Sequence, residues 1–210
     1  LRQEGINDFV ILERATDLGG TWRDNSYPGC ACDVPSRLYS FSFAQRNEWS
    51  RTFSTQPEIW AYLKSVAADH SLAPFIRYGC ALTSARWDDG AKQWNLETTA
   101  GPMSASVLLL ATGAQSEPLM PALTGLDSFG GVAFHSARWR HDYDLTGKRV
   151  AVIGTGASAI QFVPAIQPHV AKLHLFQRTA PWVVPRRDRV LSARELAIYR
   201  TVPGLRQLAR

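Results

Sequence analysis

The sequence is short of sulfur and of acid. Three cysteines and two methionines occur in 210 residues, and 18 Asp and Glu stand against 23 Lys and Arg, for a formal charge of +5. Cys30, Cys32 and Cys80 are odd in number and show neither a C-x-x-C pair nor a zinc spacing. That argues against a disulfide framework and a metal site, and reduced thiols in the cytoplasm are expected. Long apolar runs are lacking too: none approaches the roughly 20 residues of a membrane span. No secretory leader is expected before the first strand. The basic residues are dispersed until Arg186, after which Arg187, Arg189, Arg194, Arg200, Arg206 and Arg210 follow. Without aromatic platforms or a reader motif beside them they suit a solvated helical face, and nucleic acid is not an expected partner.

What is present is organised around residues 147–161. Arg149 to Ile153 is a short β-branched run of the kind found in buried parallel strands. It leads into Gly154-x-Gly156-x-x-Ala159, followed by apolar residues at helical spacing through Val163. Strand, glycine turn and helix are the context of a dinucleotide fingerprint. Gly154 permits the turn, Gly156 lets backbone approach a pyrophosphate, and Ala159 lets the helix pack on the strand. The helix N-terminus offers N–H groups and partial positive charge to phosphates. A second strand is predicted over Leu173–Gln177, ending on Arg178 and Thr179. A cation and a hydroxyl at that tip suit a 2′-phosphate, which makes this an NADP(H) site.

Upstream, Leu1 to Glu4 reads as the last turn of a helix stopped by Gly5, and Phe9–Leu12 as a buried strand ending on Glu13. An acid there fits a ribose, and its glycine loop is expected about 20 residues earlier, before Leu1. The chain is therefore expected to begin within a first dinucleotide-binding motif. The loop rich in glycine and aromatics from Gly19 to Pro35 suggests backbone wrapped round a ligand, with Asp33 its isolated acid. Ser54 to Glu58 starts a helix that carries Ile59, Trp60, Leu63, Val66 and Ala67 to about His70. Leu82–Trp87 and Trp94–Thr98 alternate as a hairpin, and Val107–Leu110 reads as a buried strand ending in Ala111-Thr112-Gly113. Ser192 caps a helix through about Tyr199, broken by Pro203 and Gly204.

With these residues in place the chain resembles the flavin-dependent Baeyer–Villiger monooxygenases across essentially its whole length. The shared landmarks are Gly19-Gly-Thr-Trp22, Tyr27-Pro-Gly29, Cys32-Asp-Val34, Ala111-Thr-Gly113 and Gly154-Thr-Gly-Ala-Ser158. The most specific is F-x-G-x-x-x-H-x-x-x-W, matched by Phe129, Gly131, His135 and Trp139. Arg140 departs from the family's usual Pro or Asp. The resemblance implies an α/β protein with two Rossmann-like dinucleotide-binding domains, parallel sheets in three layers, a β-hairpin or meander and the start of a helical subdomain. The implied division is an FAD domain over 1–117, a linker over 118–146, an NADP domain over 147–185 and helical residues over 186–210. FAD contacts are implied for Glu13, Gly20, Thr21, Trp22, Asp33, Ala111, Thr112 and Gly113. NADPH contacts are implied for Gly154, Thr155, Gly156, Ser158, Ala159, Arg178 and Thr179. Family enzymes use NADPH, FAD and O2 to convert a ketone into an ester or lactone. Asp33 matches an active-site acid whose arginine partner is expected beyond Arg210; His135 and Trp139 match a linker coupling the two domains. Oxygenation of nitrogen or sulfur, or an inactive nucleotide-binding fragment, are the alternatives.

Overall fold

The computed structural model describes residues 1–46 and 48–201. The chain forms two compact units that do not follow chain order: Leu1–Gly20 with Leu63–Ser116, and Thr21–Tyr62 with Glu117–Arg210.

In the first unit a 3-10 turn at Arg2–Glu4 ends on Gly5 at φ 77°, a left-handed value open to a residue with no Cβ. Strand β1, Ile11–Leu12, pairs in parallel with β2, Ile76–Arg77. It is shorter and less buried than the predicted strand from Phe9, and Ile11 is 40% exposed. Two rungs of ladder cover one edge only, while Phe9 is held by stacking on Phe75 at 4.5 Å. Strands β3 (Leu82–Asp88), β4 (Gln93–Thr98) and β5 (Gly101–Ala105) form an antiparallel meander in that order. The hairpin was legible in its alternation. Trp87 and Trp94 face each other across it with rings 5.6 Å apart. Asp88 accepts the Ala91 amide at 2.9 Å to close the turn. Sequence reading misses β5 because Gly101 and Pro102 are poor strand formers, and proline is tolerated there because β5 is an edge.

Val107–Leu110 corrects the sequence reading. The segment is not a strand, and Val107, Leu109 and Leu110 are 70–76% exposed. A strand needs a ladder partner as well as apolar side chains, and no described residue pairs with this run.

In the second unit, β6 (Arg149–Ile153) pairs in parallel with β7 (Lys172–Phe176), Val150 opposite Leu173 and Ile153 opposite Phe176. Gly154 N–H donates to Phe176 O at 2.8 Å and continues the ladder by one bond. The first helix of this unit, α1, is the single turn Thr21–Asp24; α2, Gln56–Asp69, starts in this unit and passes into the first at Leu63, and α3 is Ala159–Ile166. Helix α3 continues past Val163 even though Pro164 removes one rung, because Ile166 is buried at its end. Tyr27, Cys30, Val152, Ala159, Phe162 and Ile166 form the core, with Trp22, Trp139, Leu145, Val150, Val163 and Leu173 packed against it. The sheet is covered on this face only: Arg149, Ala151 and Ile153 alternate onto an exposed one, so β6 is half-buried where sequence suggests full burial.

The stretch from Arg186 to Leu191 lies along residues 50–53. Asp188 accepts from Arg51 Nε at 2.9 Å, Thr52 Oγ1 at 3.1 Å and the Phe53 amide at 3.2 Å, and Leu191 N–H donates to Ser50 O at 2.9 Å. Partial burial raises the Asp188 carboxyl, but these hydrogen bonds and the Arg51 charge bring it below its usual range. Helix α4, Ala193–Thr201, starts with a capping box: Glu195 Oε2 accepts the Ser192 amide at 3.0 Å, and Ser192 Oγ accepts the Glu195 amide at 3.3 Å. It runs to Thr201, beyond the predicted end at Tyr199; Pro203, Gly204, Arg206 and Arg210 lie outside the described residues. Among the described residues no helix is long and apolar enough to cross a membrane.

Candidate functional site

The β6–α3 connection is the best-defined ligand-ready feature. Gly154 sits at φ 102°, a value that strains any side chain, so the turn requires glycine. A Cβ at Gly156 would meet nothing within 4 Å, so the backbone there faces open space. The helical turn starts before α3: Ile160 N–H donates to Gly156 O at 3.2 Å and Gln161 N–H to Ser158 O at 3.1 Å, so the amides left over at this end are those ahead of Ile160. Ser158 precedes the helix and makes no side-chain cap. Gln177 Nε2 donates to Thr155 Oγ1 at 3.0 Å, joining the end of β7 to the turn. Arg178 and Thr179 follow it, both exposed. Ala159 is buried beside Val152, a position where a larger side chain would push helix from strand.

The loop from Tyr27 to Asp33 lies against α3. A Cβ added to Gly29 would come within 2.8 Å of Gln161 O, and Gly29 is at φ 79°. Gln161 Oε1 accepts the Ala31 amide at 3.0 Å and its Nε2 donates to Ala31 O at 3.0 Å. Asp33 follows two residues later and is exposed. Arg186 Nη1 donates to Cys32 O at 3.2 Å, which brings a cation one residue from that acid. Sequence reading singled out neither Gln161 nor Arg186: their partners are 130 and 154 residues away.

His135 Nδ1 accepts the Ala137 amide at 3.1 Å and so caps the 3-10 turn Ser136–Arg138. Trp139 packs edge-on to Phe134 at 5.3 Å and against Phe162 of α3 at 5.3 Å, and Phe162 meets Tyr27 at 5.9 Å. A Cβ at Gly131 would lie 2.6 Å from the ring tip of Phe129, an exposed side chain that can turn aside. In this unit Thr21 opens α1, and Trp22 Nε1 donates to Tyr39 OH at 2.9 Å. The first unit holds Glu13, whose Oε1 accepts the Ala15 amide at 2.8 Å, and Gly20, Ala111, Thr112 and Gly113. Gly113 is at φ 74° with open space where a Cβ would be.

A family described as flavin-binding monooxygenase-like matches residues 3–196. The chain belongs to this family. It is 58% identical over 210 residues to a Baeyer–Villiger monooxygenase of Streptomyces coelicolor, covering 100% of this chain and 40% of that protein. Its fold is similar to that of cyclohexanone monooxygenase from Rhodococcus sp. Phi1 bound to NADP+, with TM-score 0.83 and 37% identity over 91% of this chain and 37% of that one. It is also similar to OTEMO in complex with FAD and NADP, with TM-score 0.88 and 34% identity over 95% of this chain and 40% of that one. The chain thus spans about 40% of the length of the relatives it matches.

The flavin-binding monooxygenase-like family calls for dinucleotides, and the residues fit. Open space at Gly156 and Gly113 leaves room for backbone to approach a phosphate. The same packing governs titration. Burial pushes the Tyr27 phenol up to about 12 from 10.0 and raises the Cys30 and Cys32 thiols. A group raised in the folded state favours folding below its unfolded value and loses that contribution as pH climbs to the folded one. Tyr27 is therefore expected to ionise together with unfolding of its loop between about pH 10 and 12. A pH titration of tyrosinate absorbance alongside tryptophan fluorescence checks this; a Tyr27 that titrates near 10 in the folded protein would contradict it.

Proposed function

We propose that this chain forms the nucleotide-binding part of a monooxygenase that uses FAD, NADPH and O2 to insert oxygen into a ketone, giving an ester or lactone. The carrying observation is the parallel β6–turn–α3–β7 unit with the fingerprint Trp139 docked on α3. We assign residues 1–117 to FAD, 118–146 to the linker, 147–185 to NADPH and 186–210 to the start of a helical subdomain, acting in the cytoplasm.

FAD, when bound, supplies the redox chemistry between NADPH and O2; the protein's residues bind, orient and shield. Gly154, Thr155, Gly156, Ser158 and Ala159 would shape the pyrophosphate turn, and the amides ahead of Ile160 would donate to its oxygens. Arg178 and Thr179 hold the 2′-phosphate. Glu13 would accept from the flavin adenine ribose, and Gly20, Thr21, Trp22, Ala111, Thr112 and Gly113 are each assigned to FAD. Asp33 is the acid at the reacting end, His135 caps the linker turn and Trp139 holds the linker to α3.

The direct test is a purified flavin-loaded protein given NADPH and a cyclic ketone. A product heavier by one oxygen, formed with one NADPH per O2, supports the reading. Oxidation of an amine or sulfide with the ketone untouched would replace it with nitrogen or sulfur oxygenation. Failure to retain flavin would leave only a nucleotide-binding role. A guanidinium fork makes a two-point contact to a 2′-phosphate that NADH lacks. In the same protein Arg178→Ala is expected to raise the NADPH requirement by about 10- to 100-fold, about 1.4–3 kcal/mol. Steady-state kinetics with both cofactors check it, and NADH use should change little.

A further inference from the structure

Gln161 behaves as one rung of a β-ladder made from a side chain. The backbone of Cys30–Cys32 is bonded along one edge by residues 54–56: Cys32 N–H donates to Ser54 O at 2.8 Å and Gln56 N–H to Cys30 O at 2.9 Å. On the other edge the Gln161 carboxamide accepts the Ala31 amide and donates to Ala31 O, both at 3.0 Å. Its Oε1 also accepts from Tyr27 OH at 3.3 Å. Gly29 sets the distance, because its missing Cβ lets the loop reach the α3 backbone at Gln161 O. Gln161 stands three residues after Ser158, a spacing that puts two residues on one helix face. One short helix therefore serves the glycine turn at its start and the loop leading to Asp33 from its side.

We propose that Gln161 is a positioning residue whose carboxamide locks the Tyr27–Asp33 loop to the nucleotide helix, so that occupation of the Gly154–Gly156 turn is felt at Asp33. This rests on the function proposed above. A nucleotide that orders the first turn of α3 orders Gln161 with it, and two opposed hydrogen bonds carry that order into Ala31. Neither bond alone does so, since a single contact lets the loop pivot about it.

The test uses flavin-loaded protein, NADP+ as the probe and hydrogen exchange at the Ala31 amide. In the parent, NADP+ is expected to slow exchange at Ala31 by about tenfold or more. Gln161→Met keeps the side-chain length and removes both polar atoms. It should abolish that protection while NADP+ affinity stays within about threefold, and more of the NADPH consumed should end as hydrogen peroxide rather than ester. Gln161→Glu keeps the bond accepted from the Ala31 amide but sets a second acceptor oxygen against Ala31 O, so it should lose the protection as the methionine variant does; it also serves if the methionine variant folds poorly. Unchanged Ala31 protection in both variants, or protection lost only in step with NADP+ affinity, would overturn the lock. A parent that binds NADP+ and protects Ala31 but forms no ester would sink the proposed reaction and leave the lock standing.

Discussion

Phe162→Ala is expected to destabilise the unit that carries the nucleotide turn by about 3–5 kcal/mol, the usual range for removing a buried ring. The side chain is 8% exposed and stands at the centre of the core formed by Tyr27, Cys30, Val152, Ala159 and Ile166. It is also the ring on which two other aromatic residues converge, Trp139 from the linker and Tyr27 from the glycine-rich loop. Such contacts add about 0.5–1.5 kcal/mol each beyond area burial. The loss should fall at the upper end, because Tyr27 is tied to Gln161 and cannot swing freely into the cavity. Urea unfolding followed by tryptophan fluorescence checks it. A loss below about 1.5 kcal/mol would mean that the site collapses easily and that the ring is not the pivot described.

Gly29→Ala is expected to cost about 2–5 kcal/mol. About 1–2 comes from placing an L side chain in the left-handed region, and about 1–3 from overpacking. Here the obstacle is backbone, since the new Cβ would lie 2.8 Å from Gln161 O and 3.5 Å from the Ala165 Cβ. Neither a rotamer change nor a flexible tip can relieve it; the loop must lift from α3. Ala31 then loses its carboxamide partner, so flavin-loaded enzyme should lose coupling as well as stability. Gly5→Ala offers an internal control: that glycine has similar φ, 77°, with nothing within 4 Å of its would-be Cβ. It should show only the backbone part, about 1–2 kcal/mol. Equal losses at the two positions by the same urea assay would show that the close approach contributes nothing.

What was legible in the sequence was local. The β6–turn–α3–β7 unit could be read because a β-branched run, two glycines and a helical apolar spacing sit within 30 or so neighbouring positions. The meander's hairpin was likewise carried by alternation about an Asp-Gly turn. Resemblance supplied the fingerprint positions, and the structure adds what two of them touch. His135 accepts an amide to cap a turn, and Trp139 packs on Phe162 of α3. What escaped was pairing. Val107–Leu110 has strand-like composition, yet composition names no ladder partner, and the segment stands exposed. Gln161 looks like an ordinary polar residue in a short helix; only Ala31, brought from far away in the chain, reveals its role. Arg186 is one arginine among many until Cys32 O meets it.

The separation between these partners also sets a schedule for biosynthesis. Ala31 waits 130 residues for Gln161, and Thr52 waits 136 for Asp188. At about 5–20 residues per second on the ribosome, each spends about 6–27 s without its partner. The meander, whose strands are joined by tight turns, needs no such delay and is complete while the Tyr27–Cys32 loop still shows its apolar residues to solvent. That interval is a window for chaperone engagement on the nascent chain, and it closes when α3 has left the exit tunnel.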